Sequence, residues 1–183
     1  MELNEFTFID QLKNKETQEK AFRELISLYK ERLYWHIRKI VIIHDDADDV
    51  LQNTFVKVFK NIGNFKGNSK LYSWMYRIAT NEAISHLNKR AKLNKIDNIG
   101  LQNQIVENLY ADEYFDGDEI QLKLQMALAT LPQKQRIVFN MKYFDNMKYT
   151  DMSEILETSV GGLKASYHHA RKKIEQFVLN EKK

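Results

Sequence analysis

The sequence predicts an all-α protein of two small helical domains joined by a flexible linker, the second a winged-helix-like helix-turn-helix. Three observations lead there. Six glycines and one proline in 183 residues are too few for the turns of a barrel, a sandwich or a parallel α/β fold. Apolar residues recur at steps of three and four, the period of a helix that buries one face. Charge reverses in mid-chain: Lys60 to Lys95 holds eight basic residues against the single acid Glu82, a balance of +7, whereas Glu107 to Glu119 holds six acids and no base.

Phe22, Leu25, Ile26, Tyr29, Leu33, Ile37 and Ile40 predict a first helix over residues 18–42. Asp45, Asp46, Asp48 and Asp49 supply cap and first-turn acids for a second helix reaching Ile62. Its apolar side is Val50 or Leu51, Phe55, Val58 or Phe59, and Ile62. Gly63, Gly67 and Ser69 break the pattern before a third helix through Leu71, Trp74, Met75, Ile78 and Leu87, ending near Arg90 or Lys92. Residues 96–117 read as an acidic linker with turn-prone Asn and Gly. The alternative is one long surface loop, although structureless loops beyond ~15 residues are uncommon within compact units. Ile120, Leu124, Ala127, Leu128 and Leu131 form the next helix. Pro132, with its fixed φ and missing N–H, starts another carrying Ile137, Val138, Met141 and Phe144. A short helix over Thr150–Leu156 and a final one through Leu163, Tyr167, Ala170, Ile174 and Phe177, with Ser159 as its N-cap, have the spacing of a helix-turn-helix. The domains are then 1–95 and 118–183.

Enzyme readings find little support in the residues. There is no cysteine, hence no disulfide framework, thiolate metal site or iron–sulfur centre. The acids at 45–49 lack the alternating ligands, glycine and terminal Glu of a calcium loop. His36, His44, His86 and the adjacent His168 and His169 show no ligand spacing. Gly161-Gly162 has neither a Walker frame nor G-x-G-x-x-G. No enzyme and no cofactor is expected. The acidic start of the chain lacks a signal peptide's pattern, and the longest aliphatic run, Ile40 to Ile43, is far short of the ~20 residues of a membrane span. Neither export nor membrane insertion is expected.

Where the net +3 is placed matters more than its size. Around the third helix Phe65, Tyr72, Trp74 and Tyr76 interleave with Lys66, Lys70, Arg77, Lys89 and Arg90. Cations can follow phosphates while rings stack on unpaired bases, which suits single-stranded or opened nucleic acid. Trp74 falls on the apolar stripe and reads as core; Tyr72 and Tyr76 lie off it and read as platforms. The last helix, with Lys164, His168, His169, Arg171, Lys172 and Lys173, suits a duplex major groove, or else closes a helical bundle with a charged tail.

These residues resemble, over nearly the whole chain, bacterial RNA polymerase sigma factors of the sigma-70 family, extracytoplasmic-function type. Asp46-Ala47-Asp48-Asp49-Val50-Leu51-Gln52-Asn53-Thr54-Phe55 looks like the family's second-region helix. The resemblance implies that Asp46, Asp48, Asp49, Gln52 and Phe55 meet the clamp helices of the polymerase β′ subunit. Phe65-Lys66-Gly67-Asn68-Ser69, Lys70, Tyr72, Tyr76, Arg77, Asn81, Lys89 and Arg90 would then open and read the −10 element. Leu128 to Arg136 and Tyr149 to Ala170 look like the fourth region, which implies −35 contacts from Ser159, Lys164, Ser166, Tyr167, His168, Arg171 and Lys172. Asn53, Ser85, Asn88, Met152, Ser153 and Ser166 depart from the family's usual residues. The implied partners are the polymerase core, through its β′ clamp helices and β flap, promoter DNA, and an anti-sigma factor. The implied role is promoter-specific initiation; a stand-alone helix-turn-helix regulator is the alternative, and a helical adaptor would leave the +7 segment without work.

Overall fold

A stripe of Leu25, Leu33, Ile37 and Ile40, all buried, makes residues 18–42 helical. In the computed structural model, which describes residues 5–94 and 119–180, all secondary structure is helical. The helices are α1 (Glu5–Lys13), α2 (Gln18–Val41), α3 (His44–Asn61), α4 (Leu71–Asn94), α5 (Glu119–Ala129), α6 (Gln133–Tyr143), α7 (Tyr149–Leu156) and α8 (Val160–Asn180), with a 3₁₀ turn at Ile62–Asn64. Two compact units result, Met1–Ser85 and His86–Lys183, so the division falls inside α4. The boundary expected after residue 95 and the acidic linker 96–117 lie outside the described residues. Among those described, no helix is long and apolar enough to cross a membrane.

In the first unit α1 is a helix the periodicity reading omits. Its Phe8, Ile9 and Leu12 are buried, and the Asn14 side chain turns the chain into α2 by accepting from Glu16 N–H at 3.0 Å. α2 ends on Ile42, whose φ of 71° lies in the left-handed region. α3 starts one residue earlier than expected, at His44. Ile43 occupies the cap without a side-chain bond, and Asp45 and Asp46 lie in the first turn, where the helix dipole favours them. α4 departs most from its expected single stripe. It buries Leu71, Met75, Ala79, Ala83 and Leu87 on one side and Ser73, Tyr76 and Thr80 on another. The second side meets α2: His36 Nε2 lies 2.8 Å from Thr80 Oγ1, which in turn donates to Tyr76 O at 2.7 Å.

In the second unit α6 is buried at six consecutive positions, Arg136 to Met141, and is therefore central. Phe139, not Phe144, enters the cluster of Ala127, Leu128, Leu131, Ala170 and Ile174; Phe144 is exposed. Burial pushes the Arg136 guanidinium down to about 10, so it stays charged at neutral pH. Pro132 caps α6, its carbonyl accepting from Arg136 N–H at 3.0 Å. Three residues, Glu157 to Ser159, join α7 to α8. Ser159 Oγ accepts from Gly162 N–H at 3.2 Å, which is the expected N-cap.

Candidate functional site

Three surfaces carry the residues that the sequence singles out. The first lies between α2 and α3, where Phe22 meets Phe59 edge-on at 4.9 Å and Phe55 at 6.3 Å. Beside these rings opens a groove of about 500 Å³, lined by Phe22, Ile26, Leu51, Phe55, Val56 and Phe59, with Lys30, Lys60 and Gln52 at polar positions. Val56 and Phe59 are 50% and 43% exposed, large apolar groups left in water. Of the expected set, Gln52 and Phe55 line this groove, and Asp49 is exposed one turn before Gln52 on α3. Asp46 and Asp48 are half-buried; Asp48 lies 3.6 Å from His44 Nε2, whose Nδ1 shares a 2.5 Å hydrogen bond with Tyr34 Oη. Phe22, Ile26, Val56 and Phe59 are absent from the expected site. The signal for the last two is that α3 has more apolar positions than one buried face can hold.

The second surface is the loop after the 3₁₀ turn and the start of α4. Lys66, Gly67, Asn68 and Lys70 are exposed and Ser69 is half-buried. Gly67, at φ +73°, takes the left-handed conformation that lets the loop turn without a Cβ penalty. Arg77 is half-buried and Asn81 exposed, one turn apart on α4. Two rings expected here are corrected. Phe65 is buried, tilted against half-buried Trp74 at 5.1 Å. Tyr76, expected off the buried stripe, is only 5% exposed and packs on His36 at 4.8 Å and on Tyr72 at 4.6 Å. The reason is the second buried face of α4, which a one-stripe reading cannot contain. Tyr72 remains half-buried. Glu82, the one acid of the basic segment, bonds to Lys57 of α3. Lys89 is exposed and Arg90 half-buried, both past the division within α4.

The third surface is α8. Leu163, Ala170 and Ile174 are buried, leaving Lys164, His168, Arg171 and Lys172 exposed on its outer side. Lys164 Nζ sits 5.9 Å from the Tyr149 ring centroid, and Arg171 Nε bonds Glu175 at 2.8 Å. Burial, with Tyr167 nearby, pushes the Tyr149 hydroxyl up. Ser166 is half-buried. Tyr167 is also half-buried, its ring stacked on Phe139 at 5.5 Å and 19°. Its face is thus committed to packing. Ser159 spends its oxygen on the α8 cap.

Comparison with known proteins adds a second line of observation. Residues 25–93 match the family described as Sigma-70 region 2, and residues 121–174 the one described as Sigma-70, region 4. The ECF RNA polymerase sigma factor SigW of Bacillus subtilis is 27% identical over 170 residues, 88% of this chain and 91% of that protein. The RNA polymerase sigma-H factor of Pseudomonas aeruginosa is 26% identical over 173 residues, 86% of each. Among solved structures, CnrH in complex with the cytosolic domain of CnrY is similar with a TM-score of 0.69 at 19% identity, covering 95% of this chain and 96% of that one. The sigma factor RpoE, crystallised with the anti-sigma factor NepR from Bartonella quintana, has a TM-score of 0.66 at 21% identity, covering 87% and 97%. At those identities the two structures speak to the fold.

Proposed function

The chain belongs to the sigma-70 family of RNA polymerase sigma factors, of the extracytoplasmic-function type, and from that we infer how its three surfaces divide the work. It binds the polymerase core and directs promoter recognition. It is not an enzyme: it supplies recognition, and the polymerase supplies the chemistry. The observation that carries the division is the order of the two family regions along the chain: residues 25–93 hold the α2–α3 groove and the loop before α4, and residues 121–174 hold the exposed basic side of α8.

The α2–α3 groove is the polymerase-docking face. Exposed Val56 and Phe59 beside Gln52, with Asp49 one turn away, have the apolar centre and polar rim of a protein interface, which supports contact with the β′ clamp helices. The loop 65–70 with Arg77 and Asn81 is the reader of the −10 element as a melted strand; its exposed Lys66 and Lys70 suit phosphates, and its exposed Asn68 suits a base edge. With Phe65 and Tyr76 buried, half-buried Tyr72 and Trp74 are the rings of this surface left to meet a base. Lys89 and Arg90 add phosphate contacts. α8 enters the −35 major groove by its N-terminal half, Lys164 and His168 toward bases and Arg171 and Lys172 toward phosphates. The second unit also meets the β flap. An anti-sigma factor, of the kind crystallised with RpoE, would cover the α2–α3 groove. The protein works in the cytoplasm, where the polymerase is.

Run-off transcription with purified core polymerase, with and without the chain, on a promoter library tests this. The expected result is chain-dependent transcripts sharing one −10 and one −35 sequence. Promoter binding without core binding would instead make the chain a stand-alone helix-turn-helix regulator.

A further inference from the structure

The helix that the sequence does not announce holds both ends of the loop. Glu5 and Lys13 are the first and last residues of α1. Glu5 Oε1 accepts from Leu71 N–H at 2.7 Å, and Leu71 is the first residue of α4. Lys13 Nζ donates to the Phe65 carbonyl at 2.6 Å and stands 6.0 Å from the Phe65 ring centroid. Only residues 66–70 separate the two anchors. α4 has no acid in its own first turn, so Glu5 supplies from another helix the negative charge that an N-terminus favours. α1 itself is seated by buried Phe8, Ile9 and Leu12, which makes it a rigid support for both bonds.

We propose that α1 is a brace that sets the shape of the 65–70 loop, and that Glu5 and Lys13 are positioning residues for base selection at the −10 element. The inference rests on the reading of that loop as the −10 reader. Five residues clamped at both ends lose their freedom before DNA arrives, so less ordering remains to oppose binding. The selected base then meets one loop shape rather than several. Neither Glu5 nor Lys13 needs to touch DNA for this.

The test uses the intact chain with core polymerase and promoters carrying every single-base change in the −10 and −35 elements. Lys13→Met and Glu5→Ala are expected to flatten discrimination among −10 bases by about fivefold, the lower end of what one mismatched base costs, with −35 discrimination unchanged. Lys13→Arg, which keeps a charged donor, is expected to restore it. A structural readout runs alongside. In a Trp35→Phe background the remaining tryptophan, Trp74, touches Phe65, and its emission should shift in Lys13→Met but not in Lys13→Arg. An unsubstituted chain with no −10 discrimination removes the −10 reading and the brace with it. Discrimination retained in both Lys13→Met and Glu5→Ala, or lost equally at −10 and −35, overturns the brace alone.

Discussion

Replacing Thr80 by valine tests how α4 is locked to α2. Thr80 and His36 are 1% and 2% exposed. The Thr80 hydroxyl proton is spent on the Tyr76 carbonyl at 2.7 Å, so the 2.8 Å contact to His36 Nε2 requires that this nitrogen be the donor. Valine keeps the volume and leaves the His36 Nε2–H against a methyl group. The Tyr76 carbonyl retains its helical N–H, so the orphaned donor dominates the loss, about 1–3 kcal/mol. In a unit of this size each kcal/mol moves the melting midpoint by roughly 4–8 °C. Both tryptophans of the chain, Trp35 and Trp74, lie in the first unit, so tryptophan emission in urea or on heating reports this unit alone. The double variant His36→Leu with Thr80→Val removes both polar partners and is expected to recover at least ~1 kcal/mol of the coupling. A Thr80→Val loss below about 0.5 kcal/mol, or strict additivity in the double variant, would refute the reasoning.

Three further outcomes are expected. Reversing charge at Lys89 and Arg90 should weaken promoter complexes and lower the magnitude of the salt slope by about 1.4, two single-strand phosphate contacts' worth, as read by filter binding across a salt series. Val56→Asp, at the groove rim, should weaken core binding at least tenfold, an interface hot-spot effect, while leaving the tryptophan-detected midpoint in place; labelled chain titrated with core polymerase measures it. Glu157 ends α7 in the left-handed conformation, φ 50° and ψ 39°, which disfavours residues bearing a Cβ. Glu157→Gly should therefore stabilise the second unit by about 0.5–1 kcal/mol, seen as a higher calorimetric transition.

The parts legible in the sequence are those whose signals are local. Ser159 three residues before Gly162, with apolar residues at 163, 170 and 174 beyond it, announces a cap and a helix from neighbours alone. The 18–42 stripe and the break at Gly67 are of the same kind. What escapes depends on partners distant in the chain. α1 is nine residues long, too short to stand by its own propensity, and exists through burial of Phe8, Ile9 and Leu12. Tyr76 looks like an open ring until His36, forty residues earlier, is placed against it. Phe139 and Phe144 are equally apolar, and only the arrival of Tyr167 and Ala170 decides that Phe139 goes inside. The α2–α3 groove is half legible: Gln52 and Phe55 stand out on α3, whereas Phe22 and Ile26 belong to a stripe that the core of the unit accounts for by itself.

The corner between α2 and α3 has a consequence for the order of folding. Ile42 is β-branched, yet it sits at φ 71° and ψ −32°, a conformation that costs about 1–3 kcal/mol. Its N–H still reaches the Arg38 carbonyl at 2.8 Å, and its side chain is 8% exposed, so tertiary burial holds it there. Until the rest of the first unit closes over that side chain, only that local bond offsets the strain. Residues 18–61 alone would form helical segments without the native corner, and the groove between those two helices would be among the last features of the unit to take shape. Substitutions at Ile42 would therefore act mainly on the rate of unfolding.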